Sequence, residues 1–230
     1  MIVELSNKSI EWNFPEDYKY VAIKLSGGLD SAICLYMLCK YIKEERSDLS
    51  VIPITHNDWK KPYQVKWSKK VIAWMKKEFP DVTIHEHETS QLEHGIDYVK
   101  GQSRDKIKIL ERLHSEGKTV RVTIHGQNKM PDSTVCKDWA RDSIVNPPPP
   151  SDERDKIQEQ WKPEWSMFRP IINLDKKEVA EIYEKFNLQD TLFYQTRSCE
   201  NPSTLLTKDF DIHCKHCWWC KEREWGFGKI

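Results

Sequence analysis

Tyr20-Val-Ala-Ile-Lys24-Leu25-Ser26-Gly27-Gly28-Leu29-Asp30-Ser31-Ala32-Ile33-Cys34-Leu35-Tyr36 is the stretch that decides the fold. Tyr20 to Leu25 is a short apolar run that ends at a glycine pair, the pattern of a buried strand. From Asp30 to Ile42, residues Ala32, Leu35, Tyr36, Cys39 and Ile42 recur at helical spacing. A strand feeding a helix through two glycines makes an anion site. Glycine lets the backbone approach a phosphate without a Cβ clash. The helix N-terminus adds unpaired N–H groups and the positive end of its dipole. Ser26 and Ser31 add hydroxyl donors. Asp30 can hold Mg²⁺ against the phosphates or cap the helix. No Gly-Lys-Ser/Thr ending follows, so this is not the phosphate loop of kinases and GTPases. The spacing of the dinucleotide fingerprint is absent as well.

Working outward, Val51 to Thr55, Val82 to His85 and Thr119 to Ile124 read as further strands. Val65 to Phe79 reads as a helix. Another is expected to be capped by Ser103 and stopped by Gly117. Asp175 with Glu178 forms a capping box that opens a helix bearing Val179, Ile182, Tyr183 and Phe186. Strands alternating with helices predict an α/β fold: an open, mostly parallel twisted sheet with helices on both faces, Rossmann-like. Ligands of such sheets bind beyond the strand C-termini, where Ser26 to Ser31 falls. Asn146 and Pro147 to Pro150 can continue neither element. Residues 146–165 are therefore expected to form a flexible proline-rich and charged loop inside a domain spanning 1–195.

The chain has 36 basic and 36 acidic side chains. That balance argues against a dedicated duplex-binding protein, and nucleic acid is not expected as a direct partner. The mean hydropathy is −0.72 and no long apolar run occurs, which excludes a membrane helix. Met1 to Phe14 carries Glu4 and Glu11 and lacks the apolar core of a signal peptide, so a cytoplasmic setting is expected. Seven cysteines, an odd number, do not form a disulfide framework. Cys34 and Cys39 fall in the apolar helix and read as small buried side chains. Cys199, Cys214, Cys217 and Cys220 have the spacing of a metal site. Four thiolates suit tetrahedral Zn²⁺ in a closed structural site, with an iron–sulfur cluster as the alternative. Residues 196–230 are expected to form a small C-terminal zinc-bound subdomain. The ten tryptophans, Trp218 and Trp219 among them, read as packing around it or as the interface of a homodimer.

Ser26-Gly27-Gly28-Leu29-Asp30-Ser31 after an apolar strand resembles the PP-loop of the ATP pyrophosphatase superfamily. The resemblance implies ATP as cofactor, cleavage between its α and β phosphates, and transfer of AMP to a substrate oxygen. Pyrophosphate would sit in the loop and adenine near Ile54, Thr55 and His56. Together with the cysteine tail, the chain resembles the 7-cyano-7-deazaguanine synthase family over roughly Val21 to Phe227. Arg169-Pro170-Ile171 leading to Lys177-Glu178-Val179, Thr196-Arg197-Ser198-Cys199, and Arg223 followed by Gly226-Phe227 carry that likeness. It implies a deazapurine carboxylate as small-molecule substrate, ammonia as second substrate, and Mg²⁺. Lys24, Leu25, Gly126 and Arg197 would join the nucleotide site, and Asp30, Ser31 and Asp132 the chemistry. Asp132 can hold substrate or metal, or cap a turn. The Cys199 to Cys214 gap is longer than in that family. Gly126 to Asp132 keeps a Pro-Asp pair without the family's fuller Gly-Tyr-Pro-Asp-Cys-Arg pattern. Another PP-loop adenylating enzyme, with the sulfur chemistry of tRNA thiolation or adenylylsulfate reduction, is the alternative.

Overall fold

The run Tyr20 to Leu25 does form the central strand. The computed structural model describes residues 1–59, 61–139, 159–162, 166–201 and 210–230. The strands are β1 (Ile2–Glu4), β2 (Ser9–Glu11), β3 (Tyr20–Lys24), β4 (Ser50–Asn57), β5 (Glu88–Gln91), β6 (Val120–His125), β7 (Trp161–Lys162) and β8 (Met167–Phe168). The helices are α1 (Leu29–Glu45), α2 (Gln64–Glu78), α3 (Tyr98–Ser115), α4 (Ser133–Cys136), α5 (Lys176–Lys185) and α6 (Trp218–Phe227), with a 3-10 turn at Leu192–Gln195. Six strands form one sheet in the order β5-β4-β3-β6-β8-β7. All neighbours are parallel except the edge pair β7–β8. The architecture is the expected α/β one. Asn146 to Pro150, and the charged stretch as far as residue 158, lie outside the described residues, as do 163–165.

Strand alternation sorts the core. Val21 and Ile23 face one side and join Ile33, Val71, Met75, Val179 and Ile182 from α1, α2 and α5. Ala22 faces the other side and joins Ile52, Ile54, Ile109 and Leu113 under α3. An antiparallel hairpin, β1–β2, was not expected from sequence. It leads Ile10, Trp12 and Phe14 into the larger core, where Trp12 meets Phe168 edge-on at 5.3 Å.

Two elements differ from the sequence expectation. Val82 to His85 is not a strand and makes only the bridge Val51–Ile84. Val51 donates to Thr83 O and accepts from His85 N–H, both at 2.9 Å. Backbone groups alternate sides along a strand, so the next donor facing this neighbour belongs to Pro53, which has no N–H. Pairing resumes at Ile54–Glu88, three residues on along β4 but four along its neighbour. Helix α3 is the second difference. It begins more than a turn before Ser103, because the Asp97 carboxylate accepts from Lys100 N–H at 2.9 Å. Gly117, at φ +82°, follows its end as expected.

The Asp175 capping box is present. Its carboxylate accepts from Lys177 and Glu178 N–H, and the Glu178 carboxylate accepts from Asp175 N–H at 2.8 Å. Asp175→Ala should lower stability by ~1 kcal/mol. In urea unfolding this would shift the midpoint and leave the slope unchanged.

Candidate functional site

After β3 the chain adds β4 and β5 on one side, and after α3 it returns to place β6 on the other. The strand order therefore reverses between β3 and β6, and the loop Leu25 to Gly28 opens at that point, beyond the strand C-termini. Gly27 takes φ +79°, and a Cβ on it would lie 2.6 Å from Trp67 Cβ and 2.7 Å from Ser68 N. Only glycine lets the loop lie this close to α2. Gly126, just past β6, is equally confined: a Cβ there would lie 2.6 Å from Ser31 N. Gly28 is the N-cap of α1 and supplies no side-chain cap. The first backbone hydrogen bond of α1 runs from Ala32 N–H to Gly28 O at 3.0 Å. The N–H groups of Leu29, Asp30 and Ser31 precede it, at the positive end of the helix dipole. Ser26 and Ser31 hydroxyls lie 3.2 Å apart, and Ser31 donates to Gly28 O at 3.1 Å. The loop has the geometry to cradle an anion, with its hydroxyls already oriented.

Asp30 does not cap α1. Its carboxylate accepts from Lys176 Nζ at 2.6 and 2.7 Å. Lys176 is 3% exposed and also lies 3.4 Å from Glu222 of α6. Asn128 donates to the other Glu222 oxygen at 3.2 Å. Lys176, Glu222 and Asn128 were missed at the sequence level, since nothing local marks a lysine whose partner is 146 residues away. Tyr183 donates to Leu29 O at 2.9 Å and completes the packing under the loop.

Beside the loop a cleft of about 490 Å³ runs over the ends of β3, β4 and β6. Lys24, His56, Gln102, Lys106, His125 and Arg169 line it. A narrower recess continues from Lys24 and His56 to Leu25, Ser26 and Thr55, so loop and cleft are one space. Burial, then Lys106 and Lys61, hold Lys24 down to about 8, and its ammonium donates to Gln102 Oε1. Burial, with Lys24 adding to it, holds His56 at about 4 and His125 well below the usual imidazole range. His56 Nδ1 meets Ser90 Oγ at 2.8 Å. Thr55 donates to Leu25 O at 2.6 Å, and Ile54 points into the core under α3. A wider depression of about 690 Å³ lies at the opposite end, among Tyr18, Val120 and Arg121. It holds none of the residues singled out above.

Arg197 is buried beside the loop. Its backbone N–H donates to Gly27 O at 2.9 Å. Its guanidinium donates to Phe210 O and Ile212 O and lies 4.9 Å above the Tyr63 ring. Asp132 caps α4: its carboxylate accepts from Thr134 N–H at 2.8 Å and from the Thr134 hydroxyl at 2.6 Å. That is the turn-capping alternative.

The sulfurs of Cys199, Cys214, Cys217 and Cys220 all lie within 4.8 Å of one another and can hold a metal ion. Cys214 N–H donates to Cys199 Sγ at 3.4 Å, and Cys217 N–H to Cys214 Sγ at 3.2 Å. Hydrogen bonds from the Cys217 and Cys220 thiols pull Cys199 far below the usual thiol range. Sharing a proton with Cys199 pushes Cys217 up to about 12. Four sulfurs this close together suit one cation, which would hold them as thiolates. Cys34 and Cys39 are fully buried, as expected.

No family model matches the chain, and no curated protein sequence matches it. Solved structures that resemble it include the U34-tRNA thiolase NcsA from Methanococcus maripaludis with its [4Fe-4S] cluster. Identity is 18% and the TM-score 0.45, over 74% of this chain and 57% of that one. A NAD+ synthetase from Burkholderia pseudomallei is 11% identical with a TM-score of 0.39, over 93% of this chain and 75% of that one. This chain thus spans little more than half of the thiolase. At TM-scores below 0.5 neither likeness carries chemistry across. Among the described residues, no helix is long and apolar enough to cross a membrane.

Two outcomes follow from the charges. A polyanion in the loop and cleft favours charged Lys24, so its binding takes up protons above pH 8. Affinity for a polyanion such as pyrophosphate, measured by calorimetry, should therefore fall as pH rises from 7 to about 9.5. Lys24→Met should flatten that profile. Lys176→Met removes the ammonium shared by Asp30 and Glu222 and should cost ~3–5 kcal/mol. Adding Glu222→Gln should restore part of that loss in a double-mutant cycle.

Proposed function

We propose that the chain is a PP-loop enzyme that binds ATP at Ser26 to Ser31 and adenylates a small acidic substrate. One observation carries this reading. The Ser-Gly-Gly-Leu-Asp-Ser loop stands at the switch point of a parallel sheet, with the uncapped N-terminus of α1 aimed along it. The departing pyrophosphate would lie against the N–H groups of Leu29 to Ser31, and Lys24 would neutralise charge in the recess. Bound Mg²⁺ would screen the phosphates. Asp30 is the loop's carboxylate suited to holding it, with Lys176 as its present counter-ion. The enzyme's own contribution is orientation and charge stabilisation.

The substrate we propose is 7-carboxy-7-deazaguanine. Its carboxylate oxygen would bond to the α-phosphorus as pyrophosphate leaves, giving an acyl-adenylate. Ammonia would displace AMP to form the amide. A second ATP would activate the amide oxygen, and loss of AMP and a proton would leave the nitrile. For the cysteines we propose a structural zinc. Sulfurs ~2.3 Å from a single ion stand ~3.8 Å apart at the corners of a tetrahedron. Cys214 and Cys220 Sγ are 3.9 Å apart, which supports one ion. A four-iron cluster spreads its cysteines further, since iron and sulfide lie between them. The setting we propose is the cytoplasm, where thiols stay reduced.

A second reading, sulfur transfer to an adenylated substrate, has one observation in its favour. Cys199 stands two residues from Arg197, whose N–H bonds to Gly27 O, so the cysteine cluster adjoins the loop. Product analysis separates the two. The protein with ATP, Mg²⁺, ammonium and 7-carboxy-7-deazaguanine should yield AMP, pyrophosphate and the nitrile by mass spectrometry, and Asp30→Asn should abolish all three. AMP only with other acceptors and a sulfur donor would favour sulfur transfer. No AMP with any acceptor would overturn both readings. Elemental analysis should find one zinc per chain and no iron.

A further inference from the structure

The cleft carries basic side chains beyond Lys24, the one the proposed triphosphate already uses. Lys24, Lys106 and Arg169 line it with two imidazoles, and no carboxylate is among its described lining residues. Asp105 is not among the lining residues; it accepts from Arg104 at 3.0 and 3.1 Å, and its charge partly offsets the lysines at His56. Lys106 is half-buried on α3 and has no hydrogen bond or ion pair among the described residues. Burial alone pulls it below the usual lysine range. His125 Nε2 is buried with no hydrogen-bond partner. Repulsion runs through the group, since Lys106 opposes the charge on Lys24, His56 and His125. Arg169 already donates to Glu159 O at 2.8 Å, whereas Lys106, half out of water, would gain from an anion in the cleft. Gln102, Ser103 and Gln127 add neutral polar groups suited to orienting it.

We infer that this cleft is a second anion subsite, which takes a phosphoryl or carboxylate group in addition to the triphosphate held by the loop. The inference rests on the proposed ATP site for its neighbour, not for its own chemistry. The anion has two possible carriers. It is a further phosphate on the nucleotide itself, at the ribose, or it is the acid group of a separate co-substrate lying beside the nucleotide. Both place one negative group among Lys24, Lys106 and Arg169.

The test is calorimetry on the full chain and on Lys106→Gln, a half-exposed helix position where the swap is mild. Lys106→Arg serves as the charge-conserving control. The probes are AMP, adenosine 3′,5′-bisphosphate, and inorganic phosphate or acetate added to protein saturated with α,β-methylene-ATP. If the anion belongs to the nucleotide, the bisphosphate binds about tenfold or more tighter than AMP, the scale of one charge-assisted contact. Lys106→Gln then removes most of that gain, Lys106→Arg keeps it, and AMP binding is unchanged. If it belongs to a co-substrate, the bisphosphate shows no gain. Phosphate or acetate then binds the analogue-loaded protein, and Lys106→Gln weakens it about tenfold. If α,β-methylene-ATP binds normally but neither signal is seen, the inference is overturned and the ATP site stands. If no adenine nucleotide binds while phosphate binds in a Lys106-dependent way, the ATP site falls and the anion subsite stands.

Discussion

Lys176 is the residue on which the arrangement of the site depends. Taking an ammonium out of water costs several kcal/mol unless its partners are held in good geometry. Here Asp30 comes from the first turn of α1 and Glu222 from α6, while Lys176 itself opens α5. The three helices must meet at one point for the charge to be tolerated. Glycine makes the approach possible: a Cβ on Gly226 would lie 2.4 Å from Lys176 Cγ and 2.7 Å from its carbonyl oxygen. Asn128, from the segment after β6, satisfies the second Glu222 oxygen. The orientation of the loop's acid is thus set by residues from three distant parts of the chain. The loop enters its chemistry with Asp30 already placed.

The zero net charge conceals an uneven distribution. Many acidic side chains are matched locally by surface partners such as Lys19–Asp48 and Arg112–Glu116, which contribute little to stability. Lys24 and Lys106 are not matched in that way, and they gather where the strand C-termini open beside the N-terminus of α1. A low-dielectric wall on one side, under α3, concentrates their field. Composition argues against a broadly basic nucleic-acid binder, but it could not show this concentration. It depends on Lys24, at the end of β3, and Lys106, on α3, meeting over one face of the sheet.

Features set by neighbouring residues could be read from the sequence. The strand–loop–helix at Tyr20 to Ile42, the capping box at Asp175 and the cysteine spacing each depend on residues a few positions apart. Features set by partners across the fold could not. Val82 to His85 has strand composition, but Pro53 in the adjoining strand removes the donor it needs. Helix α3 starts at Asp97 because that carboxylate finds Lys100 N–H, and Ser103 is left in the helix interior. Helix α6 shows no apolar periodicity, because its buried face is made of Trp218, Cys220, Glu222 and Arg223. Charged residues buried against specific partners look, in a sequence, like a solvated surface. Lys176 and Glu222 were missed for that reason.

Arg223 shows how the cysteine cluster and the loop are joined. Burial holds it down to about 10, yet its guanidinium donates to Phe193 O, Thr196 O and Thr196 Oγ1, and lies 3.9 Å above the Phe193 ring. It fixes the segment leading to Arg197 and Cys199 against α6, which carries Cys220. Arg197 N–H in turn donates to Gly27 O. A metal ion on the four sulfurs would close this segment at its far end, and its binding free energy would act as local folding free energy. The backbone that supports Gly27 would then be held from both sides, by Arg223 and by the metal. Gly27 has no latitude of its own, since at φ +79° it is pressed against α2. On the proposed reading, in which the loop presents N–H groups to a phosphate, it would gain from such support, because small displacements of those donors weaken charge stabilisation steeply. The cysteines need not touch a substrate to matter for the chemistry. Cys199, two residues from Arg197, ties the cluster to the backbone that supports the loop.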